Sequence, residues 1–504
     1  MSQGTSKTSV ILMLIRIGQM ILNVVTVSLT AKYFGISMER DMWLYTNTLI
    51  LTITGMLWGP VNEVFRAKFI FLKEEEGEGK ALLCTRSLFS FVIIMALLIG
   101  LLLAVFSHHI SDMLVNDNAS REVFWKLFLL LIPTLLIREL TMLCTSLLNA
   151  YNVFYIPEYA NLFSGLVNIF LLILLAPLIG IYSLLVSCYF SLSVLLVAVV
   201  YFIKNRKIKL IDKGNFFDIK YMMPFVLFAL PLYLPYFVGQ LNEIVQNALA
   251  SSLGSGTISI LGYSKQFLVI VQGVMSSVIA TVMMPVLAKA FKSDNAKEYI
   301  RILNENVLLY MTIYGAFACA AIGAASPLCR LLFQYGRMTL EDVEYVIVMT
   351  RLFTTAFFGV VLYMLFSICL LTTGRNKIYA LIGTFTQGIV LLLNLGLIDY
   401  LGIYVFPLSY GLAHIMAGLY MFYVLRMDEK YLVGLRIIRC VLSISVSVGI
   451  FYLLNYLMAS TVLAWQVVGN IALAIIIIPG TLLMMGVNVR HYMMLLAKRI
   501  KGIE

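Results

Sequence analysis

A group of polar side chains interrupts one of the most apolar parts of the chain. Residues 222–235 read MMPFVLFALPLYLP, and residues 236–250 continue as YFVGQLNEIVQNALA. In the second stretch Gln240, Glu243 and Asn247 recur at i, i+3 and i+7, which places them on one face of a helix. An ionisable group near the centre of a membrane helix costs about 2.5–3.5 kcal/mol and is a functional candidate by default. The spacing predicts a polar face that lines a wet cavity, although such amides also bind neighbouring helices together.

A second polar face with the same spacing lies near the N-terminus. Arg16, Gln19 and Asn23 also recur at i, i+3 and i+7 within an apolar stretch. A polar stripe on each of two helices is what a water-filled cleft between two halves of a transporter requires. We therefore expect this face to lie opposite the first one, across a shared cavity.

Other cations lie within apolar stretches and are further candidates. Arg138 and Lys265 lie well inside theirs and are predicted to face a lumen, whereas Glu139, next to Arg138, points to a different side of the helix. Arg66 follows Glu63 by three residues, a spacing that also allows a local ion pair. Several cations around one cavity would attract an anion. The residues alone predict a transporter with a cationic, polar lumen.

The elements that must position these groups are membrane-spanning helices. The chain has 504 residues, of which 61% are hydrophobic and 12% charged, whereas soluble domains are about 45–50% apolar and about 25% charged. A span needs about 20 mostly apolar residues, and the sequence predicts an all-α polytopic membrane protein with about 14 transmembrane helices. The predicted spans are 8–34, 43–65, 88–107, 124–150, 158–180, 181–203, 221–249, 256–286, 300–325, 345–371, 378–398, 401–424, 438–459 and 463–487.

The net charge of +11 is explained by the loops between the predicted spans. With both termini on the cytoplasmic side, most Lys and Arg residues lie in cytoplasmic loops, as the positive-inside rule requires. The opposite side holds only Arg40, Arg121, Arg330 and Arg337. This distribution predicts the orientation of the chain. Because it accounts for the excess of basic residues, we expect no nucleic-acid partner.

The sequence contains no pattern for catalysis, nucleotide binding or metal binding. It has no GxSxG, HExxH or P-loop motif, and its seven Cys residues include no CxxC pair. We therefore expect no enzyme activity, no catalytic residue, no metal site and no cofactor. Energy for transport would come from the membrane potential, from a H⁺ or Na⁺ gradient, or from the substrate gradient.

Two passages six predicted spans apart resemble each other. FRAKFIFLKEEEGEGKALLCTRSLFSF follows the second span, and VLAKAFKSDNAKEYIRILNENVLLYM follows the eighth. An offset of six spans gives two halves with the same orientation, one of the repeat layouts of secondary transporters. The predicted domains are a six-helix lobe at 1–210, a second six-helix lobe at 211–425, and two further helices with a cytoplasmic tail at 426–504.

Four stretches of the chain resemble one family of membrane transporters. They are LLNAYNVFYIPEYANLFSGLVNI at 147–169, AKYFGISMERDMW at 31–43, MMPVLAKAF at 283–291 and LLFQYGRMT at 331–339. Together they are similar in order and spacing to the MurJ/MviN-type lipid II flippases of the MOP exporter superfamily, which also contains Wzx and MATE transporters.

The resemblance implies a V-shaped fold of two six-helix lobes plus two C-terminal helices that works by alternating access. It also implies movement of an undecaprenyl-pyrophosphate-linked glycan, lipid II first, from the inner to the outer leaflet of the bacterial inner membrane. The last two spans would form a groove for the lipid tail. The cations would hold the pyrophosphate and the amides would bind sugar hydroxyls.

The functional residues of the family carry over only in part. Asp41 falls on the family's acidic residue after the first span, and Arg16 on its first lumen arginine. The other family arginines fall at Thr26, Thr54 and Gln266.

The charge of the missing arginines is expected to come from other positions. The candidates are Arg66, Arg138 and Lys265, three cations that the residues already single out. Ion binding at Asp41 or Glu243 would reset the empty carrier.

Four other functions remain open at this point. One is a scaffold with no transport activity, in which the polar face at 240–247 only binds neighbouring helices together. A Wzx-like flippase would move another lipid-linked polysaccharide unit, and a MATE-like antiporter would use buried carboxylates to export cations or drugs. A glycan polymerase or ligase would need a large outer loop, which this chain does not have. The expected partners are the lipid-linked oligosaccharide, the bilayer and glycan synthases, and the protein is expected to be a monomer.

Overall fold

The protein is built from helices throughout the part of the chain that the structure describes. The structure, a computed structural model, describes residues 2–208, 217–278, 283–292, 296–425, 430–458 and 462–486. Every regular element in these ranges is an α-helix or a short 3₁₀ or π-helical turn. The predicted all-α membrane fold is confirmed.

Eighteen α-helices follow one another in these ranges. They are α1 (Ser2–Phe34), α2 (Met38–Glu76), α3 (Glu78–Val105), α4 (Ser107–Leu114), α5 (Asn118–Ala150), α6 (Tyr155–Ile179), α7 (Tyr182–Asn205), α8 (Ile219–Ala229), α9 (Tyr233–Ser252), α10 (Thr257–Val278), α11 (Met284–Lys292), α12 (Ala296–Ala318), α13 (Ala325–Phe333), α14 (Leu340–Thr372), α15 (Asn376–Leu401), α16 (Val405–Val424), α17 (Lys430–Leu457) and α18 (Leu463–Met484).

Each predicted span overlaps at least one of these helices. Within the described ranges, nine helical segments are long and apolar enough to cross a membrane, and one of them, Asn376–Val424, contains both α15 and α16. Helix α2 does not reach the same hydropathy because Asn47, Thr52 and Thr54 interrupt its apolar part. The total of fourteen spans stays a prediction.

The shortest predicted turns occur where expected, and each depends on a glycine. Gly180 ends α6 with φ +56, and Gly402 ends α15 with φ +53. Residues with a Cβ rarely adopt this left-handed conformation, so glycine is the usual helix stop. The predicted seventh span differs from a single helix, because Pro231 lies in the 3₁₀ turn Leu230–Leu232 between α8 and α9. Proline lacks the backbone N–H that a continuous helix would use.

The helices group into two compact units. Unit 1 comprises Met1–Ser259 together with Tyr335–Met338, and unit 2 comprises Ile260–Gln334 and Thr339–Glu504. Helices α8 and α9 therefore belong to unit 1. The predicted boundaries at 210 and 425 stay predictions.

Two glycines bring α9 close to α2 in unit 1. Gly55 and Gly59 lie one turn apart on α2, and a Cβ would be 2.9 Å from the Gln240 side chain at the first and 2.6 Å from the Tyr236 ring at the second. This is the small-xxx-small spacing that lets membrane helices approach closely. The phenol of Tyr233 also donates a hydrogen bond to the carbonyl oxygen of Leu57, 3.2 Å away.

The carboxylate of Asp41 caps the start of α10. Its Oδ2 accepts the backbone N–H of Gly256 at 2.5 Å, and its Oδ1 accepts the backbone N–H and the hydroxyl of Ser259 at 2.7 and 2.6 Å. The first N–H groups of a helix lack partners inside the helix and favour an anion. Asp41 is 2% exposed, so this cap is a buried contact within unit 1.

The segment Tyr335–Met338 packs against the end of α1. The backbone N–H of Arg337 donates to the carbonyl oxygen of Lys32 at 3.0 Å. Gly336 has φ +70, and a Cβ there would overlap the Lys32 backbone. This close approach explains why the stretch LLFQYGRMT has glycine at this position.

In unit 2 a π-helical turn links α12 to α13. The turn Cys319–Gly323 lets the chain pack closely against α17, because a Cβ on Gly323 would overlap Phe451. Nε of Arg351 donates to the carbonyl oxygen of Ile322 at 3.2 Å. π-helical turns leave backbone groups without regular partners and occur often near functional sites, and Arg351 supplies one such partner here.

We predict that Gly336→Ala destabilises the protein more than the matched variant Gly374→Ala. Both glycines have similar positive φ angles, but nothing lies within 4 Å of a Cβ at Gly374. Both variants carry the same conformational strain, and only the first adds overpacking, which costs about 1–3 kcal/mol. Apparent melting temperatures in detergent measure the difference. Equal melting temperatures for the two variants would contradict the close packing of Gly336 on Lys32.

Candidate functional site

A cavity of ≈ 420 Å³ lies inside unit 1, and several polar side chains are part of its mostly apolar lining. Residues of α2, α5, α7 and α9 form its walls, and its polar lining includes Thr54, Asn62, Glu63, Arg138, Glu139 and Tyr236. Ionisable side chains in membrane-spanning helices usually face such a cavity and pair with one another. This cavity is the candidate functional site.

Arg138 on α5 lines the cavity and contacts two other helices. Its Nη2 donates to Oδ1 of Asn47 on α2 at 2.9 Å and to Sγ of Cys188 on α7 at 3.3 Å. Its buried Nε has no hydrogen-bond partner. A guanidinium with an unused donor beside a cavity can bind an anionic or strongly polar ligand.

Glu139 also lines the cavity, and the sequence did not single it out as a site residue. Its side chain has no exposed surface, and Oε2 accepts a hydrogen bond from Nδ2 of Asn62 on α2 at 3.1 Å. The position of a carboxyl near the middle of an apolar span was the available signal. The sequence could not show that Asn62, far away in the chain, would lie beside it.

Glu63 and Arg66 make separate contacts instead of the local ion pair that their spacing allows. Oε2 of Glu63 accepts a hydrogen bond from the phenol of Tyr236 on α9 at 3.2 Å. The guanidinium of Arg66 lies 5.0 Å from the centre of the Phe154 ring, a cation–π distance. Glu63 therefore joins the cavity, whereas Arg66 contacts the chain just before α6.

The predicted face on α1 contacts α6. Nη2 of Arg16 lies 3.0 Å from Oε1 of Glu158, and Nε2 of Gln19 donates to the backbone oxygen and Oε2 of Glu158 at 2.9 and 3.1 Å. The Arg16 side chain remains 53% exposed, and Asn23 is exposed. Arg16 and Gln19 thus share one carboxylate, and their role opposite α9 stays a prediction.

The predicted face on α9 is not uniformly exposed. Gln240 packs beside Gly55 of α2, Glu243 is exposed and Asn247 is 8% exposed. The three residues share a helix face, but each has a different environment. That this face lines a water-filled cavity stays a prediction.

Neither of the two remaining predicted site residues lines the unit 1 cavity. Asp41 is engaged by the start of α10, as described above. Lys265 belongs to unit 2, where its ammonium lies 5.3 Å from the centre of the Phe353 ring. Of the ten predicted site residues, Arg138 is the one that lines this cavity, and Gln240 packs next to it.

The described residues contain no cluster of three or more His, Cys, Asp or Glu side chains that could hold a metal ion. The chemistry available at this site is hydrogen bonding, charge pairing and proton transfer.

A second, apolar cavity of ≈ 230 Å³ lies inside unit 2. Residues from α12, the π-helical turn, α13, α17 and α18 line it, among them Ala320, Leu331, Phe451 and Ala474. Its one polar lining residue, Asn470, exchanges two hydrogen bonds of 2.7 Å with Asn455. This cavity can hold an apolar chain and offers little to a charged group.

Comparison with known proteins identifies the family. The sequence model of the family described as lipid II flippase MurJ matches residues 30–477. A probable lipid II flippase MurJ of Buchnera aphidicola subsp. Baizongia pistaciae is 24% identical over 303 residues, which is 55% of this chain and 56% of that protein. The corresponding protein of Borreliella burgdorferi is 23% identical over 327 residues, 64% of each chain. The match thus spans less than two thirds of these curated relatives.

Solved structures show a shared fold. A structure described as lipid II flippase MurJ in an inward closed conformation has a TM-score of 0.78 at 20% identity, over 94% of this chain and 98% of that chain. An inward-facing multidrug resistance MATE transporter of the MOP superfamily has a TM-score of 0.64 at 12% identity, over 80% and 93%. The predicted MOP-type fold is therefore confirmed. Because the family model matches most of the sequence, this multi-pass membrane protein belongs to the lipid II flippase MurJ family.

Proposed function

We propose that the protein is a flippase that moves an undecaprenyl-pyrophosphate-linked glycan precursor, lipid II, from the inner to the outer leaflet by alternating access. The observation that carries this proposal is the family match over residues 30–477. The likeness to a MurJ structure over nearly the whole chain supports it.

The proposed location is the bacterial inner membrane, with both termini in the cytoplasm. The concentration of Lys and Arg in alternate loops supports this orientation. Glycan synthases that make or consume the lipid-linked precursor are the proposed partners, and the protein is proposed to act as a monomer.

The cavity in unit 1 offers a place for the polar part of the cargo. Arg138 brings a positive charge and an unpartnered N–H. Hydrogen bonds between a guanidinium and phosphate are charge-assisted and stronger than neutral ones. Arg138 therefore supplies part of the positive charge that the Thr26, Thr54 and Gln266 positions lack.

The apolar cavity in unit 2 offers a place for part of the lipid tail. Its ≈ 230 Å³ is below the range of about 300–1,000 Å³ typical of pockets for drug-sized ligands. A cavity of this size would hold a segment of a polyprenyl chain, and the remainder would stay in the bilayer. Helices α17 and α18, which the sequence assigns outside the repeated halves, supply part of its wall.

A different lipid-linked polysaccharide unit would require the same chemistry at both cavities. Experiment must therefore distinguish this alternative cargo from lipid II. A MATE-like cation antiporter is not favoured, since the family match is to lipid II flippases and the MATE likeness concerns the fold.

Depletion of the protein in its own host tests the proposal. We expect lipid II to accumulate on the inner side of the membrane and the cells to lyse. Mass spectrometry of extracted polyprenyl-linked lipids, together with labelling of the outer leaflet in spheroplasts, measures this. Accumulation of another glycan-lipid with normal lipid II would assign a different cargo. Unchanged pools of all these lipids would contradict the flippase proposal.

We predict that Arg138→Gln lowers the rate of lipid II translocation by about 10- to 100-fold, because one charge-assisted hydrogen bond contributes about 1.5–3 kcal/mol. Gln can still donate to Asn47, so the helix contact is retained. Arg138→Lys should recover part of the rate. Arg301→Gln is the control, since Arg301 pairs with Glu298 and Glu305 on its own helix. Equal loss in Arg138→Gln and Arg301→Gln would argue against a cargo contact at Arg138.

We predict that Ala474→Phe slows translocation by filling the apolar cavity in unit 2. Ala472→Phe on the same helix is the matched control, because Ala472 is exposed and does not line the cavity. Translocation rates in proteoliposomes, compared at equal amounts of folded protein, measure the effect. If both variants transport at the wild-type rate, the cavity does not hold the tail during transport.

A further inference from the structure

Glu139 and Asn62 are joined by one hydrogen bond, and one oxygen atom of each side chain has no partner. Nδ2 of Asn62 donates to Oε2 of Glu139 at 3.1 Å. The other oxygen of each side chain, Oε1 of Glu139 and Oδ1 of Asn62, is buried and has no hydrogen-bond partner. Both orphaned atoms are acceptors when Glu139 is ionised. Two unpaired acceptors on neighbouring side chains can share a single added hydrogen.

A proton on Oε1 of Glu139 would satisfy both atoms at once. The protonated carboxyl gains an O–H donor, and Oδ1 of Asn62 is the free acceptor on the side chain that already binds Oε2. The result is a closed pair of two hydrogen bonds between a carboxylic acid and a carboxamide. The protein already contains the amide version of this arrangement, in which Asn455 and Asn470 exchange two bonds of 2.7 Å.

Burial also favours the neutral form of Glu139. Its side chain has no exposed surface, and an isolated buried carboxylate is costly enough that such groups usually take up a proton. Arg138 is adjacent in sequence, but its hydrogen bonds go to Asn47 and Cys188. The Asn62 amide is thus the partner that the structure gives to the carboxyl.

The other ionisable groups around the pair come from each wall of the cavity. They are Glu63 from α2, Arg138 from α5, Cys188 from α7, and Tyr233 and Tyr236 from α9. Tyr233 and Tyr236 donate their hydroxyls to Leu57 and Glu63. With Glu139 neutral, Glu63 and Arg138 leave the cavity with no formal charge, and ionised Glu139 makes it negative.

We propose that Glu139 is a proton-binding site inside unit 1, and that Asn62 completes a carboxylic acid–carboxamide pair when the proton is bound. Release of the proton adds a negative charge to the cavity that Arg138 also lines, and this charge repels an anionic group there. Proton binding therefore favours an anionic ligand in the cavity. This last step rests on the proposed function, whereas the proton site itself does not.

Infrared difference spectroscopy of the purified full chain in lipid nanodiscs tests the site directly. We expect a pH-dependent C=O band of a protonated carboxylic acid that is lost in Glu139→Gln. The band should persist but shift in Asn62→Leu, which removes the hydrogen bonds and keeps the acid. Glu63→Gln is the matched control, because Glu63 is an exposed carboxyl of the same cavity, and the Glu139 band should be unchanged in it.

Several outcomes would overturn the proposal. The band could be present in Glu139→Gln or be lost in Glu63→Gln instead. Its position could be the same in Asn62→Leu and the wild type, which would remove the acid–amide pair. Replacement of choline by Na⁺ in the buffer at constant pH could abolish the band. That result would assign the site to a metal cation. Folding of each variant is checked by size-exclusion chromatography, and Asn62→Leu keeps the test valid if Glu139→Gln misfolds.

The spectroscopic result separates this inference from the proposed function. A Glu139 band in a protein that does not translocate lipid II would keep the proton site and remove the flippase proposal. Translocation of lipid II by a protein without such a band would keep the flippase proposal and remove the proton site.

Discussion

The hydrogen bond between Asn62 and Glu139 joins α2 to α5 inside an apolar protein, where the Glu139 side chain has no exposed surface. In a membrane an unpaired polar group has no solvent to replace its partner. The same constraint explains the contacts of Arg138 with α2 and α7, and of Tyr236 with Glu63. These cross-helix bonds hold four helices around one cavity, so the groups that organise unit 1 are also the groups available to a ligand.

Close backbone packing is the second condition for this arrangement. Gly55 and Gly59 remove the side chains that would keep α9 away from α2, and this brings Tyr236 within reach of Glu63. At the start of α10, the carboxylate of Asp41 takes the place of a local cap. In both cases the role of a small or polar residue depends on a contact with a neighbouring helix. The spacing of residues along a single helix cannot reveal such a contact.

The sequence predicts the helical fold and the very short connections near residues 180 and 400, because these depend on local composition and spacing, whereas the role of Arg138 in a transport lumen stays a prediction. It did not predict that Glu158 would bind Arg16 and Gln19, or that Asp41 would be enclosed by α10. Those partners are more than a hundred residues apart in the chain. The sequence also does not single out Glu139, because its hydrogen bond depends on Asn62, which is 77 residues away in the chain.

Taken together, the two cavities divide the chemistry that a lipid-linked glycan requires. The cavity in unit 1 has one guanidinium, one amide and two carboxyl side chains that can bind polar groups, and the cavity in unit 2 is apolar and suits a hydrocarbon chain. The family match supports lipid II as the proposed cargo, and Arg138 is the cation of this chain that we propose to act in place of the missing family arginines.

The most direct test of the account is translocation of lipid II by the purified full chain in liposomes. Labelled lipid II is placed in both leaflets, and a membrane-impermeant reagent measures how much becomes accessible from outside over time, with and without a membrane potential or pH gradient. The account predicts that the accessible fraction rises from the outer-leaflet pool to nearly all of the lipid II, and that Arg138→Gln slows this rise. An accessible fraction that stays at the outer-leaflet pool with folded protein, under every gradient, would contradict it.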